Sequence, residues 1–133
     1  MNNLMICLPA SVKLAEIAEA LSTLDVVVPD RDSLAVGVGP DGVRLLVDTD
    51  RELDSEYTAD QLALIADLVG PYTGLILPYH GLDTAKRIAG ALAARFPCVV
   101  DTDWTFFGSG EEFLARLAAD PDWDWWVGAD EDG

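Results

Sequence analysis

The sequence is poor in positive charge. Its 133 residues include 8 Lys and Arg against 24 Asp and Glu, which gives a formal net charge of −16, and only Lys13 and Lys86 are lysines. Because contacts with phosphate require Lys and Arg, direct binding to nucleic acid or to an anionic membrane surface is disfavoured. A cationic partner would be attracted, although a high negative charge can also simply keep a small protein soluble and monomeric.

Cysteines and long hydrophobic runs are also scarce. Cys7 and Cys98 each lie inside an apolar run, so we expect two free, buried thiols rather than a disulfide or a reactive site. The stretch from Met1 to Pro9 has no basic segment and only a short apolar run. We therefore expect neither a secretory signal nor a membrane span, and a cytoplasmic location.

Half of the residues are apolar, and no low-complexity tract divides the chain. A chain of this length can bury a core without disulfides or metals. These properties predict a single domain over residues 1–133 that ends in an acidic, Trp-rich tail over residues 120–133.

Hydrophobic periodicity predicts an α/β protein of the α+β type. We predict strands at 3–8, 26–28, 34–38, 43–47, 73–77 and 98–100, a turn at 108–110, and helices at 12–24 (capped by Ser11), 58–69 (capped by Thr58), 82–96 and 111–119. The segment Gly39-Pro40-Asp41-Gly42 has the turn chemistry of a hairpin between two of these strands. The order predicts a ferredoxin-like β-α-β-β-α-β start with an added α-β-α extension, in which a mixed sheet of about five strands is covered by helices.

No complete catalytic or metal-binding set is evident, so we expect no cofactor. His80, the only histidine, lies between Tyr79 and Asp83 at the end of a predicted strand, where a general base could act. A G-x-G-x-x-G spacing begins at Gly37 but is followed by a strand, which favours the hairpin over a nucleotide-binding loop. The alternating carboxylates from Asp48 to Asp54 lack the glycine of an EF-hand and are interpreted as a solvated loop.

Acidic residues and tryptophans supply the predicted contact surface for a partner. An acidic rim around an aromatic anchor suits a partner rich in Arg and Lys. The predicted partner-binding residues are Asp48, Asp50, Glu52, Asp54, Glu56, Asp101, Asp103, Trp123 and Trp125.

The C-terminal half carries the pattern LDTAKRIAGALAARFPCVVDTD followed by FGSGEEFLARL. This pattern resembles the small acidic bacterial immunity proteins of polymorphic or contact-dependent toxin systems. The resemblance implies an antitoxin, monomeric when free, that neutralises a cognate basic toxin domain such as a nuclease. Two alternatives remain open: a small-molecule-binding or regulatory module of ferredoxin-like type, and a small enzyme with a site around Tyr79, His80 and Asp83.

Overall fold

The computed structural model describes residues 2–22, 25–26, 33–37, 43–48, 52–79, 81–102 and 106–125. Seven strands form one sheet in the order β2-β3-β4-β5-β1-β6-β7. The strands are β1 (Asn2–Pro9), β2 (Asp25–Val26), β3 (Ser33–Gly37), β4 (Val43–Val47), β5 (Tyr72–Tyr79), β6 (Val99–Asp101) and β7 (Phe107–Ser109). The helices are α1 (Leu14–Ala20), α2 (Glu52–Glu56), α3 (Ala59–Val69), α4 (Leu82–Arg95) and α5 (Gly110–Ala119).

The N-terminal strand β1 lies near the middle of the sheet, between β5 and β6. Both neighbours pair with it in antiparallel register, with Leu4 opposite Leu77 and Ile6 opposite Val100. β5 and β6 therefore run parallel to each other and are joined through α4, with β1 between them. In the same way β1 and β4 run parallel on either side of β5. The strands β1, β4, β5 and β6 with α1 and α4 thus form the two interleaved split β-α-β units of a ferredoxin-like arrangement, with β2 and β3 inserted between α1 and β4.

Helices cover both faces of the sheet. Successive residues of a strand point to opposite faces, so Leu4, Ile6 and Leu8 belong to one core cluster and Met5 and Cys7 to another. The first cluster includes the buried residues of α1, α4 and α5, and the second includes Ile65 of α3. The fold is thus a three-layer α+β arrangement with its largest core beneath α1, α4 and α5.

Local signals set the ends of several helices. The Thr58 hydroxyl accepts from the Gln61 backbone N–H while the Gln61 side chain accepts from the Thr58 N–H, which is a complete capping box at the start of α3. Gly70 closes this helix at φ 71°, a left-handed conformation that favours glycine. Ser109 caps α5 by accepting from the Glu112 N–H.

The structure confirms the α+β class, the β3–β4 hairpin and the predicted cap at Thr58. The sheet has seven strands where about five were expected, and the prediction of a mixed sheet is wrong, because every described pairing is antiparallel. The ferredoxin-like pattern is present, but its second helix and last strand are α4 and β6, which were assigned to the extension. Ser11 does not cap α1, which starts at Leu14 after Lys13 without a side-chain cap bond.

Two more elements differ from the prediction. A helix, α2, occupies part of the segment that was interpreted as a polar loop, and β7 occupies most of the predicted turn at 108–110. Within the described residues, no helix is long and apolar enough to cross a membrane.

Candidate functional site

A polar cluster lies where α2 meets the face of the sheet that carries Cys7. The Tyr72 hydroxyl of β5 donates a hydrogen bond to Oδ1 of Asp54 in α2. The Cys7 thiol of β1 lies 4.0 Å from the Tyr57 hydroxyl, and that hydroxyl is also in hydrogen-bonding contact with Asp101 at the end of β6. The fold thus brings Asp54 and Asp101, which are 47 positions apart in the sequence, to one buried pair of tyrosines.

Burial keeps the neutral members of this cluster protonated. The pKa of Cys7 is raised from 9.0 to about 12, chiefly by burial; the hydrogen bond with Tyr57 lowers it, and the nearby Asp101 and Asp54 carboxylates add smaller increases. Burial also raises the pKa of Tyr57 far above its usual range, with added contributions from Cys7 and Asp101. Because a thiolate or phenolate is disfavoured at neutral pH, the cluster is suited to hold two carboxylates in place and unsuited to nucleophilic catalysis.

The described lysines and arginines are distributed unevenly between the two helical layers. From Glu52 to Ala85 the sequence contains no lysine or arginine, and this segment includes α2 and α3. We call the acidic face the carboxylates of these helices and of the adjoining strand ends: Asp48, Asp54, Glu56, Asp60, Asp67 and Asp101. Glu56, Asp60 and Asp67 are exposed, and the other three are half-buried.

The opposite helical layer carries most of the described cations, on α4 and α5. The Lys86 ammonium donates to the carbonyl of Pro121 at 3.0 Å, and the Arg116 guanidinium lies 4.4 Å from the ring centroid of Trp123. Arg95 reaches Glu19 at 3.9 Å, although both side chains are largely exposed. These cations therefore have interaction partners on the side of the sheet opposite α2 and α3.

The predicted partner-binding acids are placed unevenly. Asp48, Asp54, Glu56 and Asp101 belong to the acidic face, and Glu52 lies in α2. Asp50 and Asp103 lie outside the described residues.

The structure contradicts an exposed role for the two predicted tryptophans. Trp123 is 4% exposed and Trp125 is fully buried, and their rings are 5.3 Å apart within the main core. The Trp125 indole N–H donates to the Tyr79 hydroxyl at 2.7 Å. The prediction that these indoles anchor a partner is therefore wrong, because each ring is enclosed by the core of its own chain.

The alternative enzyme site is not assembled by the described residues. Tyr79 is fully buried beneath Trp125, whereas Asp83 is exposed in the first turn of α4. His80 lies outside the described residues. Among the residues that the structure describes, no group of three His, Cys, Asp or Glu side chains is arranged to hold a metal ion.

Tyr57 and Tyr72 were missed as members of the site. The sequence offered one usable signal, since each tyrosine lies next to the start of a regular element beside acidic or polar residues. A buried tyrosine hydroxyl needs a hydrogen-bond partner, and only Tyr57 has a carboxylate, Glu56, next to it in the sequence.

Comparison with known proteins gives no relative for this chain. No family model matches it, and neither a curated protein nor a solved structure is significantly similar to it.

Proposed function

We propose that this protein is an immunity protein that binds and neutralises a cationic toxin domain, such as a nuclease. The observation that supports this proposal is the acidic face, a helical layer without a basic residue on a chain of net charge −16. A nuclease must present positive charge to the phosphates of its substrate. An acidic surface that fits the same groove would compete with that substrate.

The charge also favours rapid capture of a toxin. Electrostatic attraction between complementary surfaces raises association rate constants to about 10⁸–10⁹ M⁻¹s⁻¹ at low salt. A standard interface covers about 800 Å² of each partner, which is a small part of the 7204 Å² surface of this protein. The acidic face can therefore bind the toxin without any contact between the toxin and the opposite helical layer.

The tyrosines support the proposal because they hold carboxylates in place before binding. Tyr72 bonds Asp54, and Tyr57 contacts Asp101. Side chains that are already ordered lose less conformational entropy on association, at about 0.5–1.5 kcal/mol for each immobilised side chain. Asp54 and Asp101 are thus suited to meet an arginine or lysine of the partner.

The test begins with the native partner, recovered by co-purification and identified. We expect this partner to be toxic when expressed alone and harmless when it is co-expressed with the present protein. Glu56→Gln combined with Asp60→Asn should slow association and flatten its dependence on salt. Glu16→Gln combined with Glu111→Gln, which removes two exposed acids elsewhere, is the charge-matched control.

Two results would contradict the proposal. One is a partner that is harmless on its own. The other is an association rate that changes equally in the two double variants, because total charge rather than the acidic face would then determine binding.

A second candidate function, small-molecule binding, is favoured by a cavity between α1 and the sheet. The cavity has a volume of about 150 Å³ and is lined by Leu8, Val12, Leu14, Ile17, Val47, Thr73 and Leu75. A cavity of this size and lining suits an apolar molecule as small as benzene. If the cavity is a binding site, benzene or indole should raise the unfolding temperature of the wild type. Ile17→Phe, which fills the cavity, should abolish that shift. An unfolding temperature of the wild type that neither compound changes would reject this candidate.

A further inference from the structure

Among the described residues, α2 and α3 leave side chains of β4 exposed on their face of the sheet. α3 packs against β1, β5 and β6. On β4, Leu46 is 38% exposed and Arg44 is exposed. Leu46 pairs with Ile76 of β5, which is half-buried on the same face. We call Arg44, Leu46 and Ile76 the sheet strip.

Two carboxylates of the acidic face border the sheet strip. Asp48 follows Leu46 by two residues, and its backbone N–H donates to the Gly74 carbonyl at 2.8 Å, which extends the pairing of β4 with β5. Because strand residues alternate between faces, Asp48 is on the side of Leu46. Tyr72 is on the face of Ile76 for the same reason, and it bonds Asp54 of α2. The apolar side chains Leu46 and Ile76 are thus flanked by the carboxylates of Asp48 and Asp54.

We propose that the sheet strip is the apolar centre of the interface with the cationic partner, an inference that rests on the proposed function. The partner segment would place an apolar side chain on Leu46 and Ile76, and flanking Lys or Arg side chains on Asp48 and Asp54. Protein interfaces commonly have such an apolar centre within a polar rim, and the centre supplies most of the affinity. The acidic face alone would give attraction without this specificity.

Charge selects this occupant over a second copy of the chain. Two copies, each of net charge −16, repel one another across any shared face. Arg44 is the one cation of the sheet strip, and it already has an interaction partner within the protein. A basic partner with an apolar residue at its centre complements both the acids and the leucine.

The chain supplies a matched control for Leu46. Leu68 of α3 is 40% exposed, against 38% for Leu46, but it lines a different groove, formed with the end of α4 and the start of α5. Leu46→Ala and Leu68→Ala therefore remove side chains of equal size and exposure from two separate surfaces. Far-ultraviolet circular dichroism and urea unfolding establish that both variants fold like the wild type.

Two synthetic peptides of equal charge serve as probes. In the first, Lys and Arg alternate with Leu; in the second, each Leu is replaced by Ser. We expect the wild type to bind the leucine peptide about tenfold more tightly, a difference of about 1.4 kcal/mol, because apolar contacts at an interface centre supply most of the affinity. This preference should disappear in Leu46→Ala and persist in Leu68→Ala.

Amide chemical shifts give a measurement that needs no variant. The leucine peptide should perturb residues 43–48 and 74–78 of the wild type more than the serine peptide does. A preference kept by Leu46→Ala, a preference lost in Leu68→Ala, or shifts centred on α4 and α5 would each overturn the inference. So would a concentration-dependent dimer that Leu46→Ala abolishes.

The proposed function fails in a different way. If neither peptide binds at low salt, or if Glu56→Gln with Asp60→Asn leaves binding of both peptides unchanged, the acidic face does not attract cations. If both peptides bind equally through those acids, the acidic face stands and only the sheet strip is rejected.

Discussion

Trp125 should be one of the residues on which folding depends most. It is fully buried, has the largest volume among such side chains in the described residues, and donates to the Tyr79 hydroxyl at 2.7 Å. Its ring also lies 6.0 Å from Phe113 and 5.3 Å from Trp123. Replacing it with alanine therefore leaves a cavity lined by aromatic rings and removes a donor from a buried hydroxyl.

The expected cost follows from these contacts. Truncation of a buried Trp to Ala lowers the free energy of unfolding by about 3–5 kcal/mol, and loss of the hydrogen bond adds about 1 kcal/mol. Small domains have a total stability of about 5–15 kcal/mol. Trp125→Ala should therefore cost about 4–6 kcal/mol in all and lower the unfolding temperature by roughly 16–24 °C, at about 4 °C for each kcal/mol in a chain of this size.

Urea unfolding followed by far-ultraviolet circular dichroism is the suitable assay, because the substitution itself changes tryptophan fluorescence. Trp125→Phe keeps an aromatic ring but lacks the N–H, so its cost should be smaller, about 1–2 kcal/mol. Leu68→Ala, at an exposed position, should change stability by less than about 0.5 kcal/mol. A loss below about 1 kcal/mol in Trp125→Ala would refute the reasoning, because a ring that is part of the core cannot be removed so cheaply.

The remaining predictions concern glycine, thiol and cap positions. A Cβ at Gly110 would lie 2.6 Å from the Cys98 Sγ. Gly110→Ala should therefore lower the free energy of unfolding by about 1–3 kcal/mol. Urea titration should show that adding Cys98→Ala restores part of this loss. Burial raises the pKa of Cys98 from 9.0 to about 11 and that of Cys7 to about 12. The unfolded chain therefore releases these protons first, so stability should be intact below pH 9 and fall as the pH rises from 9 to 11; a flat profile in that range would contradict the burial. Thr58→Ala removes the cap of α3 and should cost about 1 kcal/mol, whereas Thr58→Ser, which keeps the hydroxyl, should not.

Much of the fold was predictable where local pattern and core position agree. α4 was predicted at 82–96 and is observed at Leu82–Arg95, because Ile88 and Leu92 recur at helical spacing and face the core. The β3–β4 hairpin was predictable because its turn chemistry lies between two apolar runs. α3 was predictable from its cap and its apolar stripe.

The errors have a common cause in contacts between distant parts of the chain. β7 is the segment Phe107-Gly108-Ser109, whose composition suggests a turn, and it becomes a strand because β6 supplies its backbone partner. The order of the strands depends likewise on which segment reaches β1, and local periodicity carries no such information.

The candidate site was predictable in part. Asp48, Asp54, Glu56 and Asp101 were predicted as contact residues, and the fold places them on one side. The bonds that organise them join residues far apart in the chain, such as Tyr72 with Asp54 and Cys7 with Tyr57. The tryptophans were misassigned because nearby acids suggested a wet surface, whereas Arg116 and Phe113 enclose Trp123 within the fold.

The position of β1 bears on how the protein emerges during synthesis. β1 precedes both of its sheet neighbours in the sequence, since it pairs with β5 and with β6, which ends at Asp101. Until that point the apolar residues of β1 have no permanent neighbours, since such distant pairings form late and slowly. The apolar residues of β1 must therefore stay unpaired until a distant part of the chain has been made, and repulsion among the many carboxylates would help prevent premature association with other chains.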